Sequence, residues 1–384
     1  DILGCAAAAA VSASFNAPLA GALFALEVVL RHYAVHAFGP IVLASVAATV
    51  VGRIHLGDVT EYMLPQHGLA FYWEIPAFML LGLLCGAIGV ALIRAIFLAQ
   101  GVADRVQRAA RIPDWMRPAV AGAFLGLIAL WFPHIIGVGY ETTSLALTAA
   151  IPLADAVLFT AVKIVAVALT LAGRMGGGVF SPALMLGALA GSAFGEVAIQ
   201  IFPTVSGSQG LYALAGMGAV AGAVLGAPIS SILIVFELTD DWQAALAVMV
   251  SVSLASVVTG RFASRSFFLS QLDRTGVFVS SGPQGYLKRT IKVRDLMRPR
   301  GAESGAADAT CWELYRQGAW LRPTDSLERA LPMFDRLKGP VIPVMAPPPG
   351  GGKGEAEILG AVFQTDALRV YARTLEEELR EEHS

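Results

Sequence analysis

The chain is 384 residues long, 56% hydrophobic and 15% charged, with a mean hydropathy of +0.65. Soluble domains carry about 25% charged residues, so this composition excludes an ordinary soluble protein and places most of the chain in lipid. A formal net charge of −2 argues neither for nor against an acidic partner, and no nucleic-acid partner is expected. Cys5, Cys85 and Cys311 are scattered without CxxC or CxxH spacing, so neither a metal cluster nor a disulfide framework is expected. No nucleophile–base pair or metal motif supports an enzyme.

The N-terminal stretch DILGCAAAAAVSASFNAP has no initiator Met, no charged flank and no cleavage site, so it is not a signal peptide. It reads as the middle of a packed helix, which predicts a chain beginning inside a membrane domain. Spanning a bilayer takes roughly 17–25 apolar residues, and apolar stretches follow at 38–52, 75–99, 118–132, 152–172 and 243–259, the first and last of them short. The linker 102–117 holds Arg105, Arg108, Arg111 and Arg117, which predicts a cytoplasmic loop. The basic run YLKRTIKVRDLMRPR after 286 predicts a cytoplasmic C-terminal third, whereas 53–74 and 134–143 carry few Lys or Arg and face outward. His32 and His36 share a helical spacing, but no third ligand accompanies them.

Two segments repeat. FNAPLAGALFALEVV (15–29) and LGAPISSILIVFELT (225–239) align without a gap, Pro18 on Pro228 and Glu27 on Glu237, a separation of 210 positions. Glu27 is followed by VVLRHYAVH, a basic flank, and Glu237 by LTDDWQ, an acidic one. The two copies therefore cross in opposite senses, and an inverted-topology repeat with a site near the midplane is expected. Glu27 admits two readings, a water-facing role near the inner mouth or a structural role at a helix end. Glycines recur at four-residue spacing in Gly82–Gly86, Gly122–Gly126, Gly187–Gly191–Gly195 and Gly218–Gly222–Gly226, the pattern that lets helix backbones approach closely in lipid.

The segment GRMGGGVFSPALMLGALAG (173–191) is the sharpest candidate site. Gly176, Gly177 and Gly178 end an apolar helix, and Pro182 falls in the first turn of the next, where its missing N–H costs nothing. The N–H groups of Val179 and Phe180 then point out of the helix start, and free donors at the positive end of a helix dipole make an anion site. Lys163 lies inside the apolar run AVLFTAVKIVAVALTLAG. A charge there is costly and either attracts an anion from a wet cavity or is held by a partner.

GGGVFSP is similar to the GxFxP signature of the CLC chloride channel and transporter family. FNAPLAG…E, GVGYET (137–142) and AGMGAVAG…GAP…ELTD (215–240) resemble that family's pattern in the same order, and the resemblance covers residues 1–276. It implies an α-helical polytopic membrane protein with the inverted-repeat fold and broken helices, a homodimer with one anion pathway per subunit, and a plasma (inner) membrane location. It also implies chloride or another small anion ligated by backbone amides of Gly178, Val179 and Phe180, loosely enough to leave again. The repeat puts the mate of Pro182 at position −28, where the family has its GREGP segment and gating glutamate. A first anion-binding serine motif lies further upstream still. Neither is in this sequence, and a truncated record is the expectation. The position of the family's internal glutamate is Val28, which carries no proton, so a channel and a proton-coupled exchanger both stay open. In SFFLSQLDRTG (266–276) Phe268 takes the place of the family's pore tyrosine, losing one donor to the inner anion site. The alternative reading is a truncated, non-transporting regulatory or assembly partner.

From 277 to 290 the sequence reads as a linker, and 291–375 resembles a single CBS domain in the order strand, helix, two strands, helix. IKVRDLM supplies the first strand, PTDSLERAL the helix start with Asp325 or Thr324 as its cap, PVIPV and ILGAVF the later strands, and Asp366 closes the pattern. Paired CBS modules hold adenine nucleotides between them. Here one copy is present and Phe363 replaces the usual Thr or Ser, so no cofactor is expected and a dimerisation or regulatory role is. The insert APPPGGGKGEAE (346–357) reads as loop, and 376–384 as an acidic helix or tail.

Overall fold

The computed structural model describes residues 2–31, 35–57, 74–203, 206–239, 241–263, 265–275, 291–300, 308–337, 339–346 and 357–383. The linker 277–290, most of the stretch 53–74 expected to face outward, the insert between 347 and 356, and His32 lie outside the described residues. The chain divides into two compact units, one of residues 1–33 and 37–276, the other of residues 277–384 with 34–36.

The first unit consists of helices and the turns that join them, with no strand among its described residues. In chain order it comprises α1 (Ile2–Phe15), α2 (Pro18–Phe24) prolonged by a π-helical turn (Ala25–Leu30), α3 (Val35–Leu56), α4 (Ile75–Ala110), α5 (Arg117–Trp131), α6 (Tyr140–Leu147), α7 (Leu153–Ala172), α8 (Phe180–Ile201), α9 (Gln209–Leu225), α10 (Pro228–Thr239), α11 (Trp242–Phe262) and α12 (Phe267–Arg274). Among the described residues, five stretches are long and apolar enough to cross a membrane: α3, α4, α7, α8 and the one opening with α11. The expected span at 118–132 is the 15-residue α5, about 22 Å long at 1.5 Å per residue and short of the roughly 30 Å of a bilayer core.

α9 is the central post. Every residue from Gly210 to Leu225 is buried, as a helix apolar on all sides must be, and α4, α8, α10 and α11 pack around it. Glycine sets the closest approaches. A Cβ on Gly187 would fall on the carbonyl oxygen of Gly216, one on Gly216 on that of Gly187, and one on Gly191 on that of Tyr212. Gly82 likewise leaves 2.6 Å between its would-be Cβ and Ser251 O of α11. The Gly122–Gly126 pair behaves differently: Gly126 meets nothing within 4 Å and Gly122 only Met175 at 3.9 Å, because α5 here faces a cavity rather than a helix.

The repeat is visible in the backbone. Asn16 (φ 53°) and Gly226 (φ 70°) occupy equivalent positions and both turn the chain through the left-handed region, just before Ala17-Pro18 and Ala227-Pro228. A second correspondence is swapped between copies. Ser12 on α1 lies where Gly21 on α2 has no side chain, whereas in the later copy Gly222 on α9 faces Ser231 on α10.

In the second unit a short strand β1 (Arg298–Pro299), α13 (Asp308–Arg316), α14 (Leu327–Leu337), β2 (Val341–Ala346), β3 (Glu357–Phe363) and α15 (Gln364–His383) form an antiparallel sheet of order β1-β3-β2 with helices. Leu327, Ala330 and Phe334 of α14 pack with Ile342, Val344 and Val362 of the sheet. The strand expected at IKVRDLM is a 3₁₀ turn, Val293–Asp295, after one bridge from Lys292 to Ser326. Buried Val293 and Leu296 lie three apart, a turn spacing rather than an alternating one. Asp325 is not the cap expected for α14: it accepts from Arg322 N (2.8 Å) and pairs with Arg329 (3.0 Å). The acidic C-terminus is the continuation of α15. Cys311 on α13 packs against Met345 and Ile358, and burial, with Asp308 nearby, pushes its thiol pKa up.

Candidate functional site

α7 ends at Ala172 and α8 begins at Phe180, with Val179 as its N-cap residue and Pro182 in its first turn. Between them the glycine run forms an open loop. Gly176 meets nothing within 4 Å of a would-be Cβ, and a Cβ on Gly178 would stand 4.0 Å from the amide nitrogen of Phe180. The first intrahelical acceptor is Val179 O, bound by Ala183 N at 3.0 Å. No acceptor for the N–H groups of Val179, Phe180 and Ser181 occurs among the described residues. Gly176, Gly177, Gly178, Phe180, Ser181 and Pro182 line a cavity of about 620 Å³, closed on its other sides by α5, α7 and residues 135–138. Its chemistry is apolar wall plus backbone donors at a helix start, which suits a small anion.

Lys163 lies on the wall of the same cavity. It is buried, and its Nζ donates to Ile135 O (3.0 Å) and Gly137 O (3.3 Å). No carboxylate pairs with it among the described residues. This lysine is thus held by backbone carbonyls while it lines the cavity. One carbonyl comes from the first residue of the GVGYET stretch and the other from Ile135, two residues before it. Gly137 (φ 70°) and Gly139 (φ 89°) turn the chain there, and a Cβ on Gly139 would press Met185 Sδ of α8 at 2.5 Å. The sequence offered this motif only as a likeness; with the turn just before it, it brings two carbonyls onto a buried ammonium.

Phe180 is fixed from the opposite side. Its ring lies 4.9 Å from Phe15 and 5.5 Å from Phe24, so the first repeat grips the start of α8. Val179 is 1% exposed and belongs to the core rather than the cavity wall. The stem of the loop is tied by Arg117, 6% exposed, whose guanidinium donates to Ala172 O (2.7 Å), Asp104 (2.5 Å) and Gln107 (2.8 Å). Sequence reading took Arg117 only as one charge of a cytoplasmic linker; its place at the first position of α5 was the available signal.

The repeated glutamates are exchanged caps. Glu27 accepts from Ile229 N (3.1 Å), Ser230 N (2.9 Å) and Ser230 Oγ (2.6 Å) at the start of α10. Glu237 accepts from Leu19 N and Ala20 N (both 2.8 Å) at the start of α2. Each copy's carboxylate satisfies the orphan donors of the other copy, which requires α2 and α10 to run antiparallel side by side. Of the two readings of Glu27, the helix-end role is the one this geometry supports. Glu27, Val28 and Phe268 do not line the cavity. Val28 and Phe268 are half-buried against the core, and Phe268 sits edge-on to Phe267 at 5.6 Å. Gly178, Phe180 and Lys163 are the predicted residues that the fold brings together.

A family model described as "Voltage gated chloride channel" matches residues 1–260. Chloride channel protein CLC-f of Arabidopsis thaliana is 33% identical over 268 residues, 65% of this chain and 34% of that protein. The H(+)/Cl(-) exchange transporter ClcA of Vibrio cholerae is 31% identical over 274 residues, 71% of this chain and 58% of that protein. The chain thus spans between about a third and three-fifths of the curated relatives it matches. Among solved structures, a slow cyanobacterial Cl-/H+ antiporter aligns with TM-score 0.64 at 23% identity, covering 71% of this chain and 64% of that one. A eukaryotic CLC transporter aligns with TM-score 0.60 at 20% identity, covering 95% and 70%. These likenesses show the fold.

Proposed function

The chain belongs to the voltage gated chloride channel family, and from that premise we propose that its helical unit carries a small anion, chloride first, across a membrane. The observation that carries the reading is the cavity at the start of α8, where unpaired amides and Lys163 face one space. An anion entering it sheds water and gains amide dipoles whose geometry is already fixed. A buried ammonium held by two carbonyls raises the local potential without closing an ion pair. Whether protons move with the anion belongs to the same proposal: with Val28 at the internal position, both coupled exchange and passive conduction are readings that the test separates. A homodimer, a plasma membrane location with the second unit in the cytoplasm, and a CBS-like regulatory role for that unit, with no bound nucleotide, are carried over as part of the proposal.

The test is the purified chain in liposomes under a chloride gradient, with chloride and pH electrodes read together. Chloride efflux with uphill proton movement supports exchange, efflux without it supports conduction, and silence in both favours the non-transporting assembly partner. Gly178→Ala discriminates the site itself. Its Cβ fits sterically but stands over the Phe180 amide, so flux is expected to fall about tenfold, the scale of one weakened charge-assisted hydrogen bond. Gly101→Ala, on α4 in open space, is expected to keep both flux and stability. Lys163→Gln keeps a donor for one carbonyl and removes the charge. Flux is expected to fall severalfold and to lose part of its dependence on ionic strength; an unchanged salt profile would assign Lys163 to structure alone.

A further inference from the structure

A second cavity, about 500 Å³, opens at the end of α4, lined by Asp104, Gln107, Arg108, Arg111, Asp114 and Arg174. Its charges do not balance. The carboxylate of Asp104 is taken by buried Arg117 at 2.5 Å. Asp114 accepts from Gln107 Nε2 (2.6 Å) and meets Arg174 at 3.3 Å. Arg108 donates its Nε only to the backbone oxygen of Asp104 (3.1 Å), and Arg111 has no carboxylate partner among the described residues. Asp104 and Asp114 are thus bonded elsewhere, and the exposed guanidiniums of Arg108 and Arg111 face the cavity with no carboxylate bonded to them among the described residues.

The depth of the cavity in the fold argues for what fills it. Trp115 is 77% exposed next to Asp114, and Trp131 is 69% exposed at the far end of α5. Between them Val120, Phe124, Leu127 and Leu130 are exposed. An apolar outer face that begins beside an exposed tryptophan marks a lipid-facing surface with Trp115 at its headgroup level. The cavity sits at the level of Trp115, so its unpaired arginines lie where phospholipid phosphates lie. Guanidinium forks match phosphate oxygens two at a time.

We propose that this cavity binds the phosphate of an anionic phospholipid through Arg108 and Arg111. Arg174 gives the site a route to the anion loop. It holds a left-handed backbone (φ 55°) one residue before Met175–Gly178, and its side chain spans Asp104 (4.0 Å) and Asp114 (3.3 Å). A phosphate in the cavity competes with Asp114 for that guanidinium and so acts on the loop stem. The lipid contact stands whether or not the unit transports; only its effect on flux rests on the reading above.

Native mass spectrometry of the purified chain with added phosphatidylglycerol or phosphatidylcholine tests the binding directly. The wild type is expected to retain phosphatidylglycerol and not phosphatidylcholine, and Arg108→Gln/Arg111→Gln to weaken retention about tenfold or more, from roughly one unit of phosphate attraction per arginine. Arg105→Gln, an exposed arginine outside the cavity, is expected to retain the lipid as the wild type does. Millimolar inorganic phosphate is expected to leave the lipid bound; displacement by it would overturn the lipid assignment in favour of a free-phosphate site. Equal retention by the double variant, or equal loss by Arg105→Gln, would overturn the site. Arg108 and Arg111 are exposed, and a thermal melt matching the wild type certifies that the variant is folded.

Discussion

Glu27→Ala is expected to lower the folding stability of the helical unit by roughly 3 kcal/mol, and Glu237→Ala by about 2 kcal/mol, from the strength of hydrogen bonds to charged groups. The order follows from the bonds: Glu27 accepts two amides and the Ser230 hydroxyl, Glu237 two amides. These are orphan donors of a helix start that lose their partner with the carboxylate, and the carboxylate also meets the positive end of a dipole. Glutamine in either place keeps one acceptor and should recover about half the loss. Aspartate is one methylene too short to bridge both amides and should behave nearly as alanine. The double variant should lose less than the two singles together, because α2 and α10 dock through both caps and the first loss already loosens the second. Unfolding in a detergent series measures all four. A melting curve of Glu27→Ala superimposed on the wild type would refute the exchanged-cap account. The pH profile of flux in Glu27→Gln should match the wild type, since this geometry makes Glu27 a cap; a shifted profile would restore the inner-mouth role.

The amino-acid pattern made α7 and α11 legible within a few residues, and α4 at its start, because unbroken apolar runs in lipid admit only helices; α4 continues to Ala110, through much of the stretch read as the linker 102–117. The repeat was legible too, through Pro18 and Pro228 and the two glutamates. Its purpose was not: a carboxylate on one copy meets amides about two hundred residues away, and nothing local in FALEVV or VFELT names that partner. The same holds for Lys163, whose acceptors are backbone oxygens and so have no residue type to be recognised by. Gly122 and Gly126 show the opposite failure. Their spacing equals that of Gly187 and Gly191, yet only the latter have a helix across from them. Spacing says that a face is small, while what covers it is decided by the rest of the fold. In the second unit, Val293 and Leu296 were read as strand from composition, and their three-residue separation was the overlooked sign of a turn.

The crossing of α8 and α9 is the other place where a single methyl group should be decisive. Gly216→Ala sets a Cβ against the carbonyl oxygen of Gly187, and Gly187→Ala does the reverse. Both obstacles are main chain, so no side chain can swing away; the two helices must part. Overpacking of a tight core typically costs about 1–3 kcal/mol and sometimes more, and here the upper end applies because α9 is buried from Gly210 to Leu225 and touches six other helices. Between lipid-embedded helices the attraction is close packing rather than water exclusion, so a forced separation loses contacts along both faces at once. α8 also carries Phe180 at its start, hence the displacement should reach the cavity there and, under the proposed function, depress flux even in the fraction that folds. Gly101→Ala, with open space around it, should be neutral or gain a few tenths to 1 kcal/mol from helix propensity. Thermal melts of the three variants in one detergent decide the matter: a Gly216→Ala protein as stable as Gly101→Ala would mean that α8 and α9 are not held at backbone contact.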